Sequence, residues 1–254
     1  PGVTWVEKPG AVELIADVLR DITIRYTLED CIDMPPHTTS IVTIEPSKQV
    51  MAAYNMLLKK SALEVKEGTI NAVHAAALHM KLAQLLSGAV YSEDGKILKV
   101  HGERYDLTME LANEREQCLI AFNWKHEKEA LVARAEKAGL PYAVIDGTKS
   151  ANKRAEAVAK FQDGKLKFIF AHPQAASHGL TLTKGTTTIW QSPTTNAEHF
   201  LQFNQRIYRA GQTRRTETIC IAAKGTLEER IYAESLKEKV DRQELFSAYF
   251  EGLI

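Results

Sequence analysis

The chain has 254 residues, of which 44% are hydrophobic and 25% charged, with 32 basic and 32 acidic side chains. That is an ordinary composition for one large globular domain, or for one domain with an appendage. The even charge balance excludes a histone-like or tail-driven binder, so any contact with nucleic acid needs a local basic patch. Cys31, Cys118 and Cys220 are scattered, two of them inside apolar runs. They read as reduced thiols, and without a CxxC pair or a His/Cys cluster they imply no zinc site and no other metal. No signal peptide and no membrane-length apolar run is present. The chain opens on Pro1 without an initiator methionine, which reads as a piece of a longer protein.

In chain order, Pro9–Arg25 reads as a helix. Met34-Pro35-Pro36-His37 breaks the pattern, because proline fixes its own φ and restricts its predecessor. Thr38–Glu45 alternates as a strand does, and Ser47 caps a helix through Leu58. Ala75–Leu86 is helical, Val90–Val100 is an exposed hairpin or loop, and Arg104–Arg115 is a further helix. From residue 116 the pattern turns regular. Short apolar runs at Cys118–Phe122, Tyr142–Ile145, Lys167–Ala171, Thr186–Trp190 and Thr218–Ala222 read as strands. Helical patterns at Lys125–Ala138, Ser150–Phe161, Asn196–Arg209 and Leu227–Val240 alternate with them. Alternating units of this kind predict an α/β fold, a parallel sheet with helices on both faces. The expected division is a mainly helical extension over 1–115 and a sheet domain over 116–254. Thr195 through Glu198 and Thr226 through Glu229 read as capping boxes at two helix starts.

The richest segment runs Gln202-Phe203-Asn204-Gln205-Arg206-Ile207-Tyr208-Arg209-Ala210-Gly211-Gln212. On a continuous helix Gln202, Arg206 and Arg209 share a face. Paired guanidinium forks suit a polyphosphate. The same pattern also fits a surface helix with two solvated arginines. Arg214 and Arg215 complete the densest arginine cluster in the chain.

Three other segments bear on ligands. Ser177-His178-Gly179-Leu180-Thr181-Leu182-Thr183 follows a strand and offers close backbone approach and hydroxyl donors, or a plain turn. Asp146-Gly147-Thr148 lies where loops of an open α/β sheet meet ligands, and is equally a common turn sequence. His172, His178 and His199 have neither triad nor metal spacing.

Taken in order, these segments resemble the second motor lobe of a superfamily-2 helicase, and more narrowly the SWI/SNF-type DNA translocases. The resemblance rests on Leu119 through Asn123, on Ile145-Asp146-Gly147-Thr148 followed by Arg154 and Phe161, and on Ser177 through Thr183 as motif V. It continues through Gln202…Arg206-Ile-Tyr-Arg209-Ala-Gly211-Gln212-Thr213 as motif VI and Lys224-Gly225-Thr226-Leu227-Glu228-Glu229-Arg230-Ile231. Upstream, Met34-Pro35-Pro36 and Ile44 through Gln49 resemble the linker of that family. The family's DWNP is Thr194-Thr195-Asn196-Ala197 here, the acidic residue before the first motif VI arginine is Gln205, and the usual histidine is Tyr208. Such variants resemble bacteriophage and prophage members rather than chromatin remodellers.

The resemblance implies a RecA-like lobe that faces ATP held by a first lobe of the same polypeptide. That first lobe would carry the phosphate loop G-x-x-x-x-G-K-[ST], which this chain does not contain. Arg206 and Arg209 would be arginine fingers and Gln202 would orient them. Gly179, Thr181, Gly211 and Gln212 would border ATP. Asn123, Lys125, Gly147, Thr148, Ser177, His178 and Thr183 would contact DNA through its backbone, without regard to sequence. ATP and Mg²⁺ would serve the two-lobed motor and not bind this piece stably. No membrane partner is implied, and the location would be the cytoplasm of a bacterial or phage-infected cell. A module that keeps the fold without turnover, and only binds nucleic acid or regulates, is the competing reading. A sugar-nucleotide transferase or other Rossmann-like enzyme fits poorly, since Asn123-Trp124-Lys125-His126 follows the first strand where a glycine-rich loop is needed.

Overall fold

The computed structural model describes residues 8–19, 22, 31–66, 72–92, 94–176 and 179–237. Its centre is a six-stranded, wholly parallel sheet. The strands are β1 (His37–Ile44), β4 (Cys118–Ala121), β5 (Tyr142–Ile145), β6 (Phe168–Ala171), β7 (Thr187–Trp190) and β8 (Thr216–Ala223), in the order β1-β8-β7-β4-β6-β5. A small antiparallel hairpin joins β2 (Ala89–Tyr91) to β3 (Ile97–Lys99).

The central strands are apolar on both faces because both faces are covered. Side chains alternate across a strand, and the two cores divide accordingly. Leu119, Ala121, Ile169, Ala171, Trp190, Cys220 and Ala222 point to one core. Cys118, Ile120, Phe168, Phe170, Ile189, Ile219 and Ile221 point to the other. The first core is closed by α6 (Ala151–Gln162) through Ala157 and Phe161, by α8 (Ala197–Asn204) through Ala197 and Phe203, and by Tyr232 and Leu236. The second is closed by α4 (Glu103–Asn113) through Tyr105 and Ala112, and by α5 (Lys125–Lys137) through Leu131 and Ala135. A third cluster joins α2 (Lys48–Lys66) and α3 (Ala72–Ser87), through Val50, Tyr54, Leu82, Leu85 and Leu86, to Ala223. The remaining elements are α1 (Ala11–Leu19), the short α7 (Pro173–Ala176) and α9 (Leu227–Arg230), which continues as a π-helix over Ile231–Leu236.

Several expectations need correcting. The strand at His37–Ile44 lies within the segment expected to be helical decoration, yet it joins the main sheet beside β8, in register from His37 opposite Thr216 to Ile44 opposite Ala223. A boundary at 115/116 therefore cuts through one sheet. The helix expected over Asn196–Arg209 ends at Asn204, and its N-cap is Asn196, which accepts from the His199 N–H at 2.9 Å, rather than Thr195. At the other cap, Thr226 accepts from the Glu228 N–H, while the Glu229 carboxylate takes the Gly225 N–H at 2.8 Å. The final helix keeps its apolar side through Ile231, Tyr232 and Leu236, and residues 238–240 of that expectation lie outside the described part.

Candidate functional site

The arginine segment is shaped by what stops α8. Phe200 and Phe203 pack on the buried Trp190 with ring centroids 5.1 and 5.0 Å away, and the Trp190 indole N–H donates to Asn204 Oδ1 at 3.0 Å. The chain then tightens into turns, with Arg206 N–H bonding Phe203 O at 3.1 Å and Ile207 N–H bonding Asn204 O at 3.2 Å. Ile207 is buried in the core and fixes the turn from beneath. Arg206 and Arg209 thus stand on a turn, not on the helix face that their spacing predicts.

They converge all the same. Arg206 Nη1 and Arg209 Nη1 both donate to the Leu180 carbonyl, at 3.5 and 3.1 Å. Arg206 Nε is held by the Gln202 carbonyl at 2.8 Å. The orienting group is therefore the Gln202 main chain, since its side-chain amide is spent on Glu198 at 2.8 Å. Burial and the adjacent Arg209 charge push the Arg206 pKa down. Arginine nevertheless stays protonated, so two half-buried cations sit side by side. They line a cavity of about 310 Å³ with Gln205 and Tyr208. The Tyr208 ring lies 4.9 Å from the ring of His37 on β1. His37 is itself held by the Thr216 and Thr218 hydroxyls at 2.7 and 3.2 Å.

The motif V segment is laced to this turn. Leu182 N–H bonds Arg206 O at 2.8 Å. Gln212 is buried, and its amide donates to the carbonyls of Thr183, Gly185 and Ile207 while accepting the N–H groups of Thr213 and Arg214. Its side chain brackets two loops and is fully used in doing so. Gly211 has φ 93° and Gly179 has φ 67°, left-handed values that favour glycine. Thr181 is half-buried beside Leu180. Thr183 Oγ1 accepts from the Gln162 amide at 3.2 Å. Ser177 and His178 lie outside the described residues.

A second group sits at the carboxyl ends of the strands. Asn123, after β4, donates to Ser192 O, Ser192 Oγ and Pro193 O at 3.0, 3.0 and 3.2 Å, pinning the loop after β7. Lys125 is exposed on the first turn of α5. Gly147 and Thr148 are exposed in the loop after β5, where Thr148 bonds Asp146 Oδ1 through both its N–H and its hydroxyl. Burial opposes ionisation of Asp146, but Thr148 and the Lys128 ammonium at 2.9 Å outweigh it and hold the carboxyl at about 2.

The sequence reading missed Glu127, the anchor of this second group. It is wholly buried, and Oε2 accepts the N–H groups of Asn123 and Trp124 at 2.7 and 3.1 Å. Its only sequence signal is a glutamate three residues after Trp124, a residue with no capping side chain. The shared carbonyl of Leu180 was also missed, and main-chain acceptors leave no trace in residue type.

These features meet in comparison with known proteins. A family model for the helicase conserved C-terminal domain matches residues 103–211. The chain is thus similar, over that segment, to the C-terminal lobe of SWI/SNF-type helicases. The match takes in both carboxyl-end loops and both arginines, and begins at α4, ahead of the boundary expected at 116. The lobe is 29% identical over 241 residues to protein p41 of Acyrthosiphon pisum secondary endosymbiont phage 1, covering 90% of this chain and 50% of that one. It is 26% identical over 176 residues to the DNA repair and recombination protein RAD54 of Oryza sativa subsp. japonica, covering 65% of this chain and 18% of that one. The lobe thus spans half the length of the phage relative and less of the plant one.

Its fold matches two solved structures. One is the C-terminal part of the Fun30 ATPase domain, with TM-score 0.63 and 16% identity over 87% of this chain and 99% of that one. The other is the Sulfolobus solfataricus SWI2/SNF2 ATPase core in complex with dsDNA, with TM-score 0.63 and 18% identity over 94% of this chain and 52% of that one. Among the described residues no helix is long and apolar enough to cross a membrane.

Proposed function

We propose that this lobe is half of an ATP-dependent DNA translocase or helicase, and that it closes on ATP held mainly by a first lobe of the same polypeptide. The observation that carries the proposal is the convergence of Arg206 and Arg209 on the Leu180 carbonyl at the lip of one cavity. Two crowded cations gain when phosphate oxygens enter between them. ATP with Mg²⁺ supplies the phosphoryl group, and the residues of this chain bind and neutralise it. Arg206 and Arg209 meet the γ-phosphate oxygens, the Gln202 carbonyl aims Arg206, and Gln212 keeps the motif V and motif VI loops in one piece. A finger of this kind contributes about 10³–10⁵ in rate in other nucleotide hydrolases. Gly179, Thr181 and Gly211 give the nucleotide close access to backbone.

The second group of residues supports a DNA contact. Lys125, Gly147 and Thr183, with Ser177 and His178 of motif V, would hold phosphates of one strand, giving sequence-independent, salt-sensitive binding, while Asn123 and Thr148, whose donors are spent within the protein, would shape the loops that carry them. The complex of the Sulfolobus relative with dsDNA supports this reading. The phage relative fits a motor working in the cytoplasm of an infected bacterium.

The test uses the two-lobed protein. Arg209→Ala should lower DNA-stimulated ATP hydrolysis by about 10³-fold or more while sparing DNA affinity, and the 254-residue chain alone should hydrolyse no ATP. Unchanged turnover in Arg209→Ala would leave only a nucleic-acid-binding module.

A further inference from the structure

Trp124 belongs to none of the three apolar clusters and is only partly buried. Trp190, by contrast, is wholly enclosed. Trp124 caps α5 between Asn123 and the exposed Lys125. Two other rings gather at it. Tyr91 on β2 lies 6.4 Å away, centroid to centroid, and His126 also lies 6.4 Å away with its plane only 12° from that of the indole. The Tyr91 hydroxyl reaches His126 Nδ1 at 3.1 Å, and Ser87 Oγ holds His126 Nε2 at 2.9 Å. Glu127 fixes the Trp124 main chain from beneath. The main chain that carries the indole and the rings around it are therefore fixed before anything binds, so a planar ligand has only the indole to order.

We infer that Trp124 is a stacking platform for an unpaired nucleobase, so that this end of the sheet takes a single strand of DNA. This rests on the proposed backbone contact of Lys125. An aromatic face beside a cation is the general form of a single-strand site, because every base offers a π-face whatever its identity. Within a duplex the bases are stacked on one another, and an indole at this position has only backbone to touch. The Tyr91 hairpin buttresses the platform, tied by the Lys81 ammonium on the Tyr91 carbonyl.

The test titrates the 254-residue chain at low salt with a dT oligonucleotide of about twelve nucleotides, the scale of one single-strand site, and with a duplex of the same length. A Trp5→Phe background leaves Trp124 and the enclosed Trp190 as the emitters. The single strand should quench emission. Trp124→Ala should weaken single-strand binding by roughly 5- to 150-fold and leave duplex affinity within a factor of two. Trp124→Phe, which keeps a ring, should lose much less and guards against misfolding of the alanine variant. Lys125→Ala should weaken both forms alike and flatten their salt dependence. Equal loss on both oligonucleotides in Trp124→Ala, or no loss, would overturn the platform. If Lys125→Ala alone weakened both, the backbone contacts would stand without it. Failure of both oligonucleotides to bind would overturn the platform and the DNA face together.

Discussion

Arg104 and Glu228 form an ion pair in which Arg104 is 1% exposed and Glu228 fully enclosed, joining α4 to the start of α9 across the sheet. Burial opposes the arginine charge, but Glu228 outweighs it and the Arg104 pKa is raised. Replacing Glu228 with glutamine keeps the acceptor for the Ala223 N–H, 2.7 Å away in the parent, removes the charge and puts an amide NH2 where Oε1 has no partner. Arg104 then remains a buried cation held by the carbonyls of Gln191 at 2.8 Å and Ile221 at 3.3 Å. Removing one partner of such a pair costs about 3–5 kcal/mol. The two remaining carbonyls place Glu228→Gln near ~3 kcal/mol, a large share of the ~5–15 kcal/mol that holds a domain folded.

The double variant Arg104→Met/Glu228→Leu removes both charges but orphans the Ala223 N–H, a cost of about 1–3 kcal/mol. It should therefore be destabilised by ~2 kcal/mol less than the sum of its single changes. Urea unfolding with linear extrapolation reads both quantities, provided the slope m is unchanged. A loss below ~1 kcal/mol for Glu228→Gln, or strict additivity in the double variant, would show that the pair is solvated and that this reasoning is wrong.

Three further outcomes follow from particular contacts. Burial pushes the Glu127 carboxyl up to about 7 from an ordinary 4.5. Its contribution to stability is full below pH 4.5 and is lost as pH rises through 7. Glu127→Gln should accordingly gain on the parent between those values, and parallel melting curves across that range would refute the raised pKa. At Gly185 an added Cβ would lie 3.0 Å from Phe161 Cζ and 3.1 Å from Ile207 Cδ1. Gly185→Ala should therefore cost about 1–3 kcal/mol, and an unchanged melting temperature would show that the Ile207 turn yields freely. Gln212→Ala strands three carbonyls and two N–H groups at once. Its effect should appear as faster amide exchange at Leu182 and Gly185, whose own hydrogen bonds run to Arg206 and within the motif V loop, and unchanged exchange would remove Gln212 from its bracketing role.

The parallel sheet was legible in the sequence because strands buried on both faces must be apolar throughout, as at Cys118–Ala121 and Phe168–Ala171. The pairing partner of β1 was not legible. Thr38, Thr39 and Ser40 are exposed, so their pattern shows a strand and does not show which sheet receives it. The end of α8 was misjudged because Arg206 and Arg209 keep helical spacing, while the interaction that ends the helix is a tertiary hydrogen bond from Trp190 to Asn204. The convergence of the two arginines survived that error, because a turn with bonds three residues apart still brings them to one side. The capping at Trp124 ran against residue preference, and there the carboxylate three residues on was the better guide.

The pairing of β1 with β8 also has a mechanical consequence. A parallel strand pulled along its own length is loaded in shear, so all the ladder hydrogen bonds from His37 to Ile44 resist together instead of opening one by one. Tension arriving through Pro36 would reach Thr216 first, since the Thr216 N–H bonds the Pro36 carbonyl at 3.0 Å. Tyr208 rests on His37 at that same end of the strand. A tug on the chain ahead of the sheet would thus be felt at the arginine turn before it is felt anywhere else in the lobe.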